Sequence, residues 1–150
     1  MSLKDKLAED MKQAMKDREA GKVQLSVIRM VRANIKNVEI NYKKELSDSE
    51  VLDVIAKEVK MRRDAMEEFQ RGNRPDLVDN LEKEIDVLMQ YLPQQLDENE
   101  VRALVTEAIA QTNATSPKDM GKVMSNLMPK VKGRANGKLI NSIVKELLNQ

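Results

Sequence analysis

The sequence contains neither cysteine nor histidine among its 150 residues. Without cysteine, disulfides and thiolate chemistry are excluded. Without histidine, the commonest general base and the commonest metal ligand are gone. Structural zinc sites draw on those two residue types, so none is expected. A di-iron bundle needs Glu-x-x-His pairs, so that reading fails too. Aromatics are confined to Tyr42, Phe69 and Tyr91, too few for a platform that stacks single-stranded RNA bases. No apolar run approaches the ~18 residues of a membrane span. No apolar stretch of the secretory kind follows Met1–Asp5, so a cytoplasmic location and no membrane partner are expected. Walker and dinucleotide-binding glycine patterns are missing as well, and no cofactor is expected.

What is present is charge on a helical pattern. Charged residues make up 34% and hydrophobic residues 41%. The net charge is only +1, but it is unevenly spread. From Ala114 to Gln150 there are seven basic residues against two acidic ones, a net of +5. The remainder carries 19 basic and 23 acidic side chains, a net of −4. Such asymmetry points to an anionic partner for the C-terminal end.

The periodicity predicts an all-α protein. Leu3, Leu7, Met11 and Met15 recur every fourth residue, with Ser2 and Asp5 suited to the helix start and Gly21 to a left-handed end. Val27, Val31, Ile35 and Val38 predict a second helix from about Val23 to Lys44. It carries two further stripes, one of Arg29, Arg32, Lys36 and Lys43 and one of Asn34, Asn37 and Asn41. Ser47 and Glu50 form a capping box for a third helix reaching to about Gln70. Pro75 opens a fourth, marked by Leu77, Leu81, Ile85, Leu88 and Leu92 and stopped by Pro93. Asp97 with Glu100 caps a fifth, Ser116 with Asp119 starts a sixth that Pro129 ends, and Leu139 to Leu147 mark the last. Pro93–Leu96 is the boundary candidate. The expected organisation is a four-helix N-terminal unit, residues 1–93, and a three-helix C-terminal unit, residues 94–150.

The catalytic inventory is poor. Ser26 lies one helical turn from both Lys22 and Arg29, where a Ser–Lys dyad is conceivable, but a solvated helix surface explains it better. No catalytic residue is assigned. The basic loop is the stronger feature: Lys130, Lys132 and Arg134 alternate around Gly133, and Lys138 follows Gly137 at the start of the last helix. Asn136 is placed to cap that helix and leave its first amides facing outward, where phosphate binds. Flanking Lys and Arg add counter-charge for gripping a nucleic-acid backbone without reading bases. An ordinary basic interhelical loop has the same composition. Arg29, Arg32 and Lys36 form a secondary basic stripe, of a kind more often solvated than bound. Met120, Met124 and Met128 read as gap-filling core residues, or as an adaptable docking surface.

Three stretches resemble the YqeY-like proteins over nearly the whole chain: LSVIRMVRANIKNVEI from Leu25 to Ile40, YLPQQL from Tyr91 to Leu96, and MGKVMSNLMPKVKGRANGKLINSIVKELL from Met120 to Leu148. The family is all-helical, and its C-terminal part is similar to the tail domain of the GatB subunit of the glutamine-dependent tRNA amidotransferase. Lys132–Asn136 fits that tail's basic loop, and Leu139, Ile140 and Asn141 fit the helix after it; Gly137 stands where the tail commonly has proline. The resemblance implies an accessory tRNA-binding protein of tRNA amidation. The carbon–nitrogen ligase chemistry, with glutamine as amido donor, belongs to domains this sequence lacks, so no enzyme is expected on its own. The alternative is a helical interaction module that docks on an amidotransferase or an aminoacyl-tRNA synthetase without binding tRNA.

Overall fold

The computed structural model describes residues 1–149, and Gln150 lies outside the described residues. Among the described residues seven α-helices follow one another: α1 (Leu3–Lys16), α2 (Lys22–Tyr42), α3 (Asp48–Arg71), α4 (Pro75–Met89), α5 (Glu98–Thr112), α6 (Met120–Val131) and α7 (Gly137–Leu148). Among the described residues there is no strand. The chain divides into two compact units, one spanning Met1–Leu92 and one beginning at Pro93.

In the first unit α1 packs along α2, and α3 along α4. The apolar stripes meet in one core built on Leu7, Val27, Ile28, Val31, Ile55 and Leu88. The helix starts follow their caps. The Ser2 hydroxyl accepts from the Asp5 amide at 3.1 Å. Ser47 and Glu50 form a reciprocal box, each side chain bonding the other residue's backbone N–H.

Two helix ends differ from the sequence expectation. Gly21 is not a left-handed cap: α1 ends at Lys16, and Arg18 takes the positive φ of 51°. Gly21 instead sits against α1, where a Cβ would run into the Ala14 carbonyl oxygen and lie 2.8 Å from its Cα. Close approach, not backbone hand, selects glycine there. Likewise α4 stops at Met89, short of Pro93. Tyr91 and Leu92 follow in a tightened turn, their amides bonding Leu88 and Met89 three residues back. Tyr91 is buried, and its hydroxyl donates to Asp10 on α1 at 2.5 Å. Burial first, and the Asp10 bond second, push the phenol well above its ordinary value.

Apolar periodicity missed two core residues of α3. Glu58 and Arg62 are buried, with Arg62 Nη1 2.6 Å from Glu58 Oε2. Asn34 Nδ2, from the expected polar flank of α2, donates to Glu58 Oε1 at 2.5 Å. Arg62 Nη2 reaches Met30 Sδ at 3.2 Å, and its Nε lies 3.4 Å from Glu84 Oε2 on α4, without hydrogen-bond alignment. One ion pair thus ties together α2, α3 and α4.

The second unit packs α5 against α6 and α7. Val101, Val105, Val123, Leu127, Ile140 and Ile143 form its centre. Asp97 caps α5 through the Glu100 amide at 2.8 Å. Ser116 makes no capping bond; Asp119 instead accepts from the Thr115 amide at 2.9 Å, and a 3₁₀ turn at Pro117–Asp119 leads into α6. Pro129 does not end α6 either, which runs on to Val131. Proline removes one ladder bond there, but Val131 is fully buried and Lys132 N–H still reaches Met128 O at 2.9 Å. Burial outweighs the lost bond. Met120 and Met124 pack on the core as gap-fillers, while Met128 is 40% exposed.

Two outcomes follow from the first unit. Arg62→Met leaves the buried Glu58 carboxylate uncompensated and is expected to lower unfolding stability by about 3–5 kcal/mol in urea titrations. Adding Glu58→Leu is expected to recover most of that loss. Second, the Glu50 carboxyl is held at about 2 by the Lys44 ammonium and then by Ser47. A depressed carboxylate stabilises the fold above its unfolded value and loses that contribution as pH falls. Acid titration should therefore show stability decreasing from pH 4.5 towards 2, with a flatter slope in Glu50→Gln.

Candidate nucleic-acid interface

The 26 residues from Met120 to Lys145 carry six cations and no carboxylate. Between α6 and α7 that stretch turns through a short loop. Gly133 takes φ 72°, a conformation that L side chains rarely adopt. Asn136 caps α7, its Oδ1 accepting from the Lys138 amide at 2.9 Å. Gly137 is the first helical residue, and a Cβ there would meet nothing within 4 Å. The loop thus brings Lys130, Lys132, Gly133, Arg134, Asn136 and Lys138 together in nine residues.

The four cations of the loop are not equivalent. Lys130 is half-buried and turns to α5, its Nζ 3.7 Å from Glu107 Oε1 and 3.3 Å from Gln111 Oε1. Arg134 is also half-buried and turns inward. Its Nε donates to Gln94 O at 3.2 Å and its Nη1 to Lys130 O at 3.3 Å. Lys132 and Lys138 are exposed. These two are the more exposed of the four, and they stand beside the α7 N-terminus, which itself favours anions.

Pro93–Leu96 is more than a boundary, because its residues bond to the loop. Leu96 N–H donates to Arg134 O at 2.8 Å. Gln95 Nε2 donates to Gly133 O at 2.8 Å and to Pro93 O at 2.8 Å. Two adjacent glutamines after a proline were the visible signal, because amide side chains can satisfy loop carbonyls as well as decorate a linker.

The secondary stripe lies in the first unit. Arg29, Arg32 and Lys36 are all exposed on α2. Arg32 Nη1 lies 3.0 Å from Met11 Sδ. Arg32 and Lys36 also line an open groove of about 590 Å³, together with Leu7, Ile35 and the Lys4–Glu39 ion pair. That ion pair closes at 2.7 Å, and its hydrogen bond holds the Glu39 carboxyl below its ordinary value and the Lys4 ammonium above. Among the described residues, no group of three or more Asp or Glu is placed to hold a metal ion, and no helix is long and apolar enough to cross a membrane.

Three curated relatives are named "Altered inheritance of mitochondria protein 41, mitochondrial". The chain is 32% identical to the protein of Pyrenophora tritici-repentis over 132 residues, covering 87% of this chain and 71% of that one. It is 32% identical to that of Lachancea thermotolerans and 35% identical to that of Kluyveromyces lactis, in each case over 74% of this chain and 60% of the relative. It thus spans less than two thirds of the length of the latter two. The Yqey-like protein family matches residues 4–148, which takes in both helical units and the loop between α6 and α7, and the chain belongs to that family.

Proposed function

We propose that this protein is a tRNA-directed accessory factor that grips folded RNA by its backbone through the loop between α6 and α7. The observation that carries the reading is the acid-free stretch Met120–Lys145 with exposed Lys132 and Lys138 beside a capped helix N-terminus. Lysines at such a place neutralise phosphates and release counterions, a term that needs no base reading. The scarcity of aromatics agrees with recognition of RNA shape rather than of unstacked bases. The likeness of the loop to the tail of an amidotransferase subunit supports tRNA as the polyanion and tRNA amidation as the setting, with the amidotransferase or a synthetase as protein partner. The chain would then act by bringing tRNA to that partner, not by ligase chemistry of its own. The compartment is one where tRNA is aminoacylated, either the cytoplasm or, as the relatives' names have it, the mitochondrion.

The test is binding of the purified chain to total folded tRNA across a salt series. Affinity is expected to fall linearly on a log–log plot, and Lys132→Glu with Lys138→Glu to weaken binding at least tenfold and flatten the slope by roughly two. A wild-type chain that binds no tRNA at low salt, yet recovers a protein partner after nuclease treatment, would replace this reading with the docking module.

A further inference from the structure

We propose that Arg134 is a positioning residue: it fastens the Gln94–Leu96 segment to the basic loop and so sets the loop's shape, while the polyanion is met by other groups. The inference rests on the tRNA reading above for its consequence, but not for its geometry. Three consecutive residues of the segment bond to two consecutive residues of the loop. Gln94 O accepts from the Arg134 guanidinium, Gln95 Nε2 donates to Gly133 O, and Leu96 N–H donates to Arg134 O. Arg134 is engaged at both ends, by its side chain and by its own carbonyl. Its guanidinium also holds Lys130 O, the last turn of α6.

The arrangement answers a backbone requirement. α6 ends at Val131 and Gly133 takes φ 72°, so the Arg134 amide bonds Val131 O rather than continuing the ladder to Lys130 O. Such groups need a partner or water. A guanidinium has five donors in a planar fork and no acceptor, so one side chain can close two carbonyls at once. Swinging Arg134 out to a phosphate would leave Gln94 O and Lys130 O without their donor and loosen the strap on the glycine turn. The geometry therefore separates two tasks. Lys132 and Lys138 are exposed, and Arg134, with neutral Gln95, holds the loop that carries them. A contact role for Arg134 is what its charge alone would suggest; its bonds assign it the other.

Gln95 makes the idea testable, because an uncharged side chain releases no counterion. In the full chain without RNA, Arg134→Gln and Gln95→Ala are each expected to speed hydrogen exchange at the Leu96 amide about five- to tenfold. With tRNA, each variant should lose about five- to tenfold in affinity at fixed salt, keep the wild-type salt slope, and lose little more when combined. Leu96 should stay protected in the complex. Wild-type exchange at Leu96 in Arg134→Gln would overturn the strap. A salt slope lower by about one in Arg134→Gln, with wild-type affinity in Gln95→Ala, would make Arg134 a phosphate contact instead. If the wild-type chain binds no tRNA, the functional reading fails alone, and amide exchange still decides the strap.

Discussion

A loop turned through a left-handed glycine must find partners for its carbonyls or leave them to water, and in the second unit that requirement organises much of what surrounds it. The unit is small, so its core of valines, leucines and isoleucines has little margin. A floppy turn between α6 and α7 would loosen the register in which Val131 and Ile140 are both buried. The carbonyls of Gln94, Lys130 and Gly133 are instead closed by Arg134 and Gln95. The result is a loop tied to the Gln94–Leu96 segment, with Lys130 and Arg134 half-buried and Lys132 and Lys138 exposed. Rigid presentation matters for backbone recognition, because a positioned charge loses less entropy on meeting a phosphate than a wandering one.

The first unit meets a comparable demand in a different way. It buries a charged pair, Glu58 and Arg62, among apolar stripes that would pack without it. Desolvating two charges is costly, and Coulomb attraction offsets that cost only with good geometry and further hydrogen bonds. Asn34, Met30 and Glu84 supply the surrounding contacts. Because these partners sit on α2 and α4, only one register of the three helices satisfies them all. Tyr91 plays the same part at the end of α4, where its hydroxyl reaches Asp10 on α1.

Much of the fold was legible because it follows from local rules. The i, i+4 stripes placed Leu7, Val27, Val31, Ile35, Val51 and Ile55 in the core. Short-range chemistry placed the caps at Ser2, Ser47, Asp97 and Asn136. Ser116 failed locally, since Asp119 bonds the Thr115 amide instead, whereas three other failures involve a tertiary contact overriding a local preference. Gly21 resembled a helix terminator but answers to Ala14 seven residues away. Pro129 resembled a stop signal, but the burial of Val131 carries α6 past it. Glu58 and Arg62 had the spacing of a solvated pair and became core. The candidate site was legible as composition only: the alternation of Lys130, Lys132 and Arg134 announced a basic loop. Which of those charges turn inward depends on Gln94, Gln95, Glu107 and Gln111, all at least 19 residues away in sequence, and no periodicity encodes that.

The central claim is that a polyanion meets this chain at the loop between α6 and α7, and it is tested most directly by mapping the contact itself. Backbone amide NMR shifts of the full chain, followed during titration with folded tRNA at moderate salt, would locate it. The account predicts the largest changes at Lys132, Gly133 and Asn136–Leu139, saturating together. Changes centred on Arg29–Lys36 of α2, with the loop silent, would contradict it.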